Sequence, residues 1–156
     1  MALLTKFYGF HVAFEAAVSL LVRDQAFLQP RLKSHLVARD LDYLGVGPAA
    51  RAGLPVCDLP LPMPHEAAAF GALYVVEGST LGGTVIARHV EAVLGFGRDT
   101  GCAYFRSYGP DTGAMWRVFR ERLASLSSPE HDAAIIAAAT ATFAAMQTWL
   151  CGGEGL

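Results

Sequence analysis

The apolar residues of this chain recur mostly at helical spacing. Between residues 3 and 22 they fall at every third or fourth position, which predicts a helix beginning almost at the first residue. No window alternates between apolar and polar positions as a strand does, and no linker or internal repeat divides the sequence. The pattern therefore predicts an all-α fold in which residues 1–156 form a single domain. The same spacing predicts further helices over residues 31–44, 65–94, 114–126 and 130–150.

Glycine and proline mark the breaks between these helices. Residues 45–48 end the second helix, and a short helix is expected after them. Four prolines fall within residues 53–64, and because proline lacks a backbone N–H, this segment is predicted to be an extended connector. Ser128 before Pro129 predicts the start of the last helix. On the second helix, the charged residues predicted to face solvent are Arg31, Lys33, Arg39 and Asp40.

Three glycines interrupt the longest predicted helix. In a helix interior each glycine costs about 0.8–1 kcal/mol relative to alanine, so Gly78, Gly82 and Gly83 together cost roughly 3 kcal/mol. Gly78 and Gly82 are four residues apart and leave one face without side chains. Three explanations of this bare face are open. A second helix packs tightly against it, the glycines form a turn between two shorter helices, or a flat ligand lies against the backbone. Ser79 and Thr80 either add hydroxyls beside such a ligand or bond back to helix carbonyls.

Composition excludes several classes of function. The formal net charge of −2 gives no electrostatic footprint for nucleic acid. The three cysteines are far apart, which fits a reducing cytoplasm better than a disulfide framework or a cysteine-rich zinc site. The most hydrophobic stretch, residues 133–150, contains threonines and a glutamine and is predicted to be a buried amphipathic helix. We therefore expect a cytoplasmic protein that binds neither nucleic acid nor a membrane.

The identity of the residues around the glycines narrows these alternatives. Residues 72–88, ALYVVEGSTLGGTVIAR, resemble the distal-helix signature of bacterial heme oxygenases, in particular of the bacteriophytochrome-associated kind. The resemblance covers nearly the whole chain in order. It includes FYGFHVAFE at residues 7–15, FRSYG at residues 105–109 and WRVFRERL at residues 116–123.

The resemblance implies a fold in which heme lies between a proximal helix with an axial histidine and a kinked, glycine-rich distal helix. Relatives cut heme to biliverdin, carbon monoxide and ferrous iron with external electrons, so a reductase or ferredoxin is the implied partner. Gly78, Gly82 and Gly83 match the distal glycines, where a Cβ would fill space needed by the macrocycle and oxygen. Gly78 and Ser79 are the implied catalytic positions. Ser79 stands where many relatives place an aspartate, and its hydroxyl would relay a proton through water.

Basic and aromatic positions complete the heme site that the resemblance implies. Arg120 matches a basic position that pairs with a heme propionate in relatives, and Arg117 lies three residues away on the same helical face. A solvated basic face is the alternative for both arginines. Tyr8 is a further implied heme contact, and packing in the core is its alternative.

The axial iron ligand has no matching residue, because Met1 falls where the second helix of the family pattern is already under way. His11 is a weak substitute, and a buried, hydrogen-bonded histidine is its alternative. Three explanations are open: a start codon assigned too far downstream, a shortened paralogue, or a homo-oligomer that covers the surface left exposed by the missing helix.

The sequence favours a heme-cleaving oxygenase. The alternatives are a non-catalytic heme-binding or interaction remnant and a generic helical partner-binding module. The histidines interpreted as surface or cap residues are His35, His65, His89 and His131.

Overall fold

The predicted all-α class is confirmed by the computed structural model, which describes residues 1–152. Those residues contain helices, turns and extended segments but no strand. Residues 55–63 form no helix and no strand, as expected for a proline-rich connector. The α-helices are α1 (Ala2–Ser19), α2 (Gln25–Leu28), α3 (Ser34–Tyr43), α4 (Pro48–Arg51), α5 (Glu66–Leu94), α6 (Ala103–Arg106), α7 (Thr112–Leu126) and α8 (Asp132–Cys151), with short 3₁₀ helices at Gln29–Arg31 and Gly109–Asp111.

The central element is α5, a single helix of 29 residues rather than two shorter ones. The His65 side chain caps its first turn by accepting a hydrogen bond from the Ala68 N–H. Gly95 ends the helix with φ 68°, the left-handed conformation that glycine adopts without strain. α8 packs so closely along α5 that a Cβ on Gly71 would lie 2.2 Å from the Ile135 carbonyl oxygen.

The hydrophobic core lies between α1, α5, α7 and α8. Phe10 and Phe14 of α1 are fully buried, and Phe70 of α5 stacks on Phe119 of α7 with ring centroids 5.9 Å apart. A smaller cluster joins α1, α3 and α6 on the other side of α1. Its buried members are Leu4, Val37, Leu41 and Tyr104.

The prediction that four charged residues of the second helix face solvent is wrong for three of them. Arg31, Lys33 and Asp40 are 3%, 2% and 0% exposed, and only Arg39 of the four is open to solvent. The helix begins three residues later than predicted, so Arg31 and Lys33 precede it. Each buried charge is balanced by a partner from a distant segment, which helical spacing within residues 31–44 cannot reveal.

Two helices, α5 and α8, are long and apolar enough to cross a membrane by length and composition. Half of the apolar window of α5 is buried, as expected for a core helix. In α8 the buried share is 11%, so the prediction that residues 133–150 are buried is wrong, and this apolar helix presents an uncovered face. One or two helices of this kind are weak evidence for a membrane protein, because core helices of other proteins pass the same test.

Candidate functional site

A cavity opens beside the glycine-rich part of α5, and we call it the glycine cavity. Its volume is about 170 Å³, which is below the range of sites for drug-sized molecules and suits a small ligand. Its wall includes Phe7 of α1, Ser79, Gly82 and Ile86 of α5, and Met146 of α8. The lining is predominantly apolar, so the cavity suits an apolar ligand with few polar contacts.

The three glycines of α5 have different surroundings. A Cβ on Gly82 would meet no heavy atom within 4 Å, so this position faces open space. A Cβ on Gly83 would lie 2.9 Å from the Phe105 carbonyl oxygen, so Gly83 permits a close approach of backbone to backbone. A Cβ on Gly78 would touch the Trp116 ring at 3.4 Å. Gly82 and Gly83 line the glycine cavity, whereas Gly78 does not.

The hydroxyl groups of Ser79 and Thr80 donate hydrogen bonds to carbonyl groups of their own helix. This is the alternative to a role beside a ligand. Ser79 is exposed and lines the cavity, and its Oγ donates to the Val76 carbonyl at 2.7 Å. Thr80 is buried and donates to the Glu77 carbonyl at 2.6 Å. Such bonds are typical of serine and threonine inside helices that bend.

Arg117 and Arg120 line a second depression, which we call the arginine groove. It lies between α5, α7 and α8, is walled by Tyr74 and Ile136 among others, and measures about 1110 Å³ with its open space. Both arginines are exposed. The structure therefore places them outside the glycine cavity, at a separate site that shares only α5 and α8 with it.

Exposed apolar residues lie on α5 and α8, along the stretches of these helices that line the arginine groove and the glycine cavity. On α5, Tyr74 is 45% exposed, Gly82 follows two turns later, and Val85 is 64% exposed. On α8, Ile136 and Phe143 lie seven residues apart on one side and are 64% and 63% exposed. At 1.5 Å per residue, Tyr74 and Gly82 are about 12 Å apart along α5. We call these exposed residues of α5 and α8 the α5–α8 face, and exposed apolar side chains of this size make it a candidate binding surface.

Tyr8 and His11 of α1 lie away from both depressions. Tyr8 packs in the smaller core cluster, with the Arg51 guanidinium 6.0 Å from its ring, which is the packing role named as its alternative. His11 is 1% exposed, and its Nε2 is 3.0 Å from the Tyr104 hydroxyl. Neither residue lines the glycine cavity or the arginine groove.

The imidazole of His11 is held neutral. Burial, with a smaller contribution from the Lys33 charge, lowers its pKa from 6.5 to about 3. Glu15 lies 3.8 Å from Nδ1, too far for a hydrogen bond, and Nδ1 has no partner within residues 1–152. The carboxylate is therefore not a salt-bridge partner, because burial outweighs its attraction.

The neutral state of His11 predicts a loss of stability in acid. Between pH 6.5 and pH 3 the unfolded chain binds a proton at this position and the folded chain does not, so the free energy of unfolding falls as the pH falls. At 1.36 kcal/mol per pH unit the loss from this group at pH 5 is about 2 kcal/mol. Urea unfolding measures the free energy of unfolding at pH 5 and at pH 7. The difference between these two values should be smaller in His11→Gln than in the unmodified protein. The exposed His35→Gln is the control, and an equal pH dependence in both variants would contradict the assignment.

A buried ionic cluster beneath the glycine cavity was not predicted. Glu77, which is 1% exposed, accepts from Arg31 at 2.5 Å through Oε2, and from the Tyr108 hydroxyl at 2.6 Å through Oε1. Lys33 donates to Glu77 Oε1 at 3.3 Å and to the Tyr108 hydroxyl at 2.5 Å, and it lines the glycine cavity. We call these four residues the Glu77 cluster. The available signal was the position of Glu77 four residues after Leu73, on the buried face of α5.

Burial and the charge of Glu77 change the pKa values of two members of the cluster. Burial lowers the pKa of Lys33 to about 8, and the Glu77 carboxylate opposes that shift. Burial and the same carboxylate raise the pKa of Tyr108, so its hydroxyl keeps its proton. At neutral pH Lys33 therefore stays mainly protonated, and it brings a positive charge to the edge of the cavity.

The position of α6 depends on Asp40, which lies outside the Glu77 cluster. Its two carboxylate oxygens accept hydrogen bonds from the backbone N–H groups of Ala103 at 2.7 Å and Tyr104 at 2.9 Å. A carboxylate at the N-terminus of a helix is favourable, because it satisfies N–H groups that lack a partner there. Asp40 thereby fixes the segment that carries Phe105 and the wall of the glycine cavity.

Comparison with known proteins gives two matches that cover most of the chain. A family model described as heme oxygenase matches residues 1–151. A protein named heme oxygenase from Xanthomonas campestris pv. campestris (strain 8004) is 38% identical over 125 residues, which is 74% of this chain and 73% of that protein. No solved structure matches the chain.

Proposed function

The chain belongs to the heme oxygenase family and is a heme-degrading oxygenase, and we propose that it cleaves heme to biliverdin, carbon monoxide and ferrous iron on the α5–α8 face. The observation that carries the proposed site is the open space at Gly82. A glycine in the middle of a helix costs about 1 kcal/mol relative to alanine, and at Gly82 no protein atom occupies the space of the missing Cβ.

The shape and chemistry of the α5–α8 face fit a porphyrin. The face is apolar between Tyr74 and Val85, and the arginine groove lies at one end of it. Arg117 and Arg120 would bind the two propionates, because arginine pairs with carboxylates in a bidentate geometry. The macrocycle would then lie over Gly82, where a Cβ would obstruct it. Tyr8 is not part of this arrangement, since it packs in the core.

The residues of the glycine cavity would act on the side of heme that faces α5. Bound heme supplies the iron that activates oxygen and the macrocycle that is cut. Gly82 leaves room there, Phe7 and Met146 keep the cavity apolar and limit access of water, and the Ser79 hydroxyl can orient a water molecule. Gly78 faces the Trp116 ring rather than the glycine cavity, so it would take no direct part in this arrangement. Electrons would come from an external reductase or ferredoxin.

The lack of a candidate axial ligand among the described residues of both depressions is the observation that favours a second candidate function. Within residues 1–152, no histidine lines the glycine cavity or the arginine groove, and His11 is committed to Tyr104. Heme iron needs a protein donor for oxygen chemistry. Non-catalytic heme binding is therefore the second candidate. A second copy of the chain packed on the α5–α8 face is the assembly that would complete the site.

The test is a turnover assay on the purified chain. Heme, a reductant system and oxygen are supplied, and the absorption band of biliverdin is followed against the heme Soret band. Appearance of the biliverdin band supports the proposed reaction. A stable heme spectrum without product supports non-catalytic binding, and no heme spectrum at all would overturn both candidates.

Gly82→Ala separates binding from folding. The new methyl group meets no protein atom, so the substitution should raise the free energy of unfolding of the heme-free chain by about 0.5–1 kcal/mol through helix propensity. It should also weaken heme binding about tenfold, because the methyl group occupies the space of the macrocycle. Urea unfolding and heme titration measure the two effects.

Gly113→Ala is the matched control for this prediction. Gly113 lies in α7, meets no atom within 4 Å of its missing Cβ, and lines neither the glycine cavity nor the arginine groove. It should change stability in the same direction without changing heme affinity. Unchanged heme affinity in Gly82→Ala would count against the proposed site.

A further inference from the structure

Ser107 has a buried hydroxyl that no protein group satisfies. The residue is 6% exposed and lines the glycine cavity, and its Oγ has no hydrogen-bond partner within residues 1–152. Buried hydroxyls are almost always hydrogen-bonded, because leaving one unpaired costs free energy. An unpaired hydroxyl that borders a cavity is therefore positioned for a ligand in that cavity.

The backbone at Ser107 favours a different residue. Its dihedral angles are φ 43° and ψ −112°, and those of Tyr108 are φ −79° and ψ −2°, which together are the angles of a type II′ turn. Glycine is preferred at the first central position of that turn, because φ is positive there. Serine at this position adds backbone strain to an unpaired hydroxyl. Folding alone would be better served by glycine.

The surroundings of Ser107 indicate the chemistry of the ligand. Lys33 lines the same cavity and hydrogen-bonds the hydroxyl of Tyr108, the residue that follows Ser107. Its positive charge favours a ligand atom that accepts hydrogen bonds, and the rest of the cavity wall is predominantly apolar. The groups that face Lys33 are Arg31, Glu77, Tyr108, Glu15 and His11.

We propose that the Ser107 hydroxyl donates a hydrogen bond to a small acceptor ligand, such as water or an oxygen-bearing ligand of heme, bound in the glycine cavity. This inference rests on the proposed function. Ser107 keeps its proton in this role and positions the ligand beside Gly82, while the Lys33 charge supports the acceptor. The strain and the unpaired hydroxyl of the free protein are thus retained for binding.

Fluoride binding to the ferric heme complex tests the proposal, because fluoride is a small, strong hydrogen-bond acceptor. Ser107→Gly and Ser107→Ala should each raise the fluoride dissociation constant about tenfold, the effect of one lost hydrogen bond. Ser125→Ala, which removes an exposed hydroxyl bonded to the Arg122 carbonyl, should leave that constant unchanged. In the heme-free chain, Ser107→Gly should melt at or above the temperature of the unmodified protein.

Two results would overturn this inference alone. One is a fluoride constant unaffected by Ser107→Gly and Ser107→Ala in chains that still bind heme. The other is a clear fall in the melting temperature of heme-free Ser107→Gly, which would show that the hydroxyl serves the fold. Absence of heme binding by the unmodified chain would overturn the proposed function as well.

Discussion

Gly71→Ala is expected to destabilise the protein by about 3–5 kcal/mol, and with it the packing of α8 on α5. The new Cβ would lie 2.2 Å from the Ile135 carbonyl oxygen and 2.8 Å from its carbonyl carbon. Both atoms belong to the backbone of α8, so no side-chain rotation relieves the clash and the whole helix must move. Urea unfolding followed by circular dichroism measures the loss.

Gly78→Ala is the matched substitution for this experiment. It lies seven residues further along the same helix, and its Cβ would touch the Trp116 ring at 3.4 Å, an ordinary van der Waals distance. We expect it to keep or raise stability by up to about 1 kcal/mol, since alanine is the better helix former. If Gly71→Ala proved as stable as Gly78→Ala, the close packing of α5 and α8 would be wrong.

Glu77→Ala should cost about 3–5 kcal/mol, because it removes the carboxylate that is hydrogen-bonded to the buried Arg31 and Lys33 side chains. Glu91→Ala is the control. Glu91 pairs with Arg106, but those side chains are 25% and 41% exposed, so water screens the pair and its removal should cost much less than that of Glu77. Equal losses in the two variants would show that the buried charges are not coupled as described.

The carboxylate of Glu77 also makes a spectroscopic prediction. It raises the pKa of Lys33 against the effect of burial, so Glu77→Gln should move that pKa below its value of about 8. Lys6 and Lys33 are the two lysines of the chain, and carbon NMR of labelled lysine would therefore give two signals. Lys6 serves as the internal reference. A Lys33 titration unaffected by Glu77→Gln would place the two groups apart.

Local sequence determined the long helices well, because each of them carries its own signals, whereas the four-residue helices α2 and α6 were not predicted. Apolar spacing predicted residues 65–94 as a helix, and the structure has Glu66–Leu94. The Ser128 signal was sound in kind, since the Ser128 hydroxyl accepts from the N–H of His131, although the last helix begins at Asp132. The four prolines correctly indicated that a connector without helix or strand lies in their part of the chain. These features depend on residues that are neighbours in the chain.

The candidate site was only partly accessible to the same reasoning. The sequence singled out Gly78, Gly82 and Gly83 as one group, yet their surroundings differ because each faces a different partner: the Trp116 ring, open space and the Phe105 backbone. A missing side chain in the sequence says that something approaches closely, but not what approaches.

What the sequence by itself determined is the set of long helices, their order and, through the glycine-rich motif, the family. Only the tertiary structure decided that Lys33 and Asp40 are buried rather than solvated, that Gly82 alone among the three glycines faces open space, and that Ser107 carries an unpaired hydroxyl. The physical reason is range. Helix formation depends on residues three or four positions apart, whereas burial, ion pairing and open space depend on segments that meet only after the chain has folded.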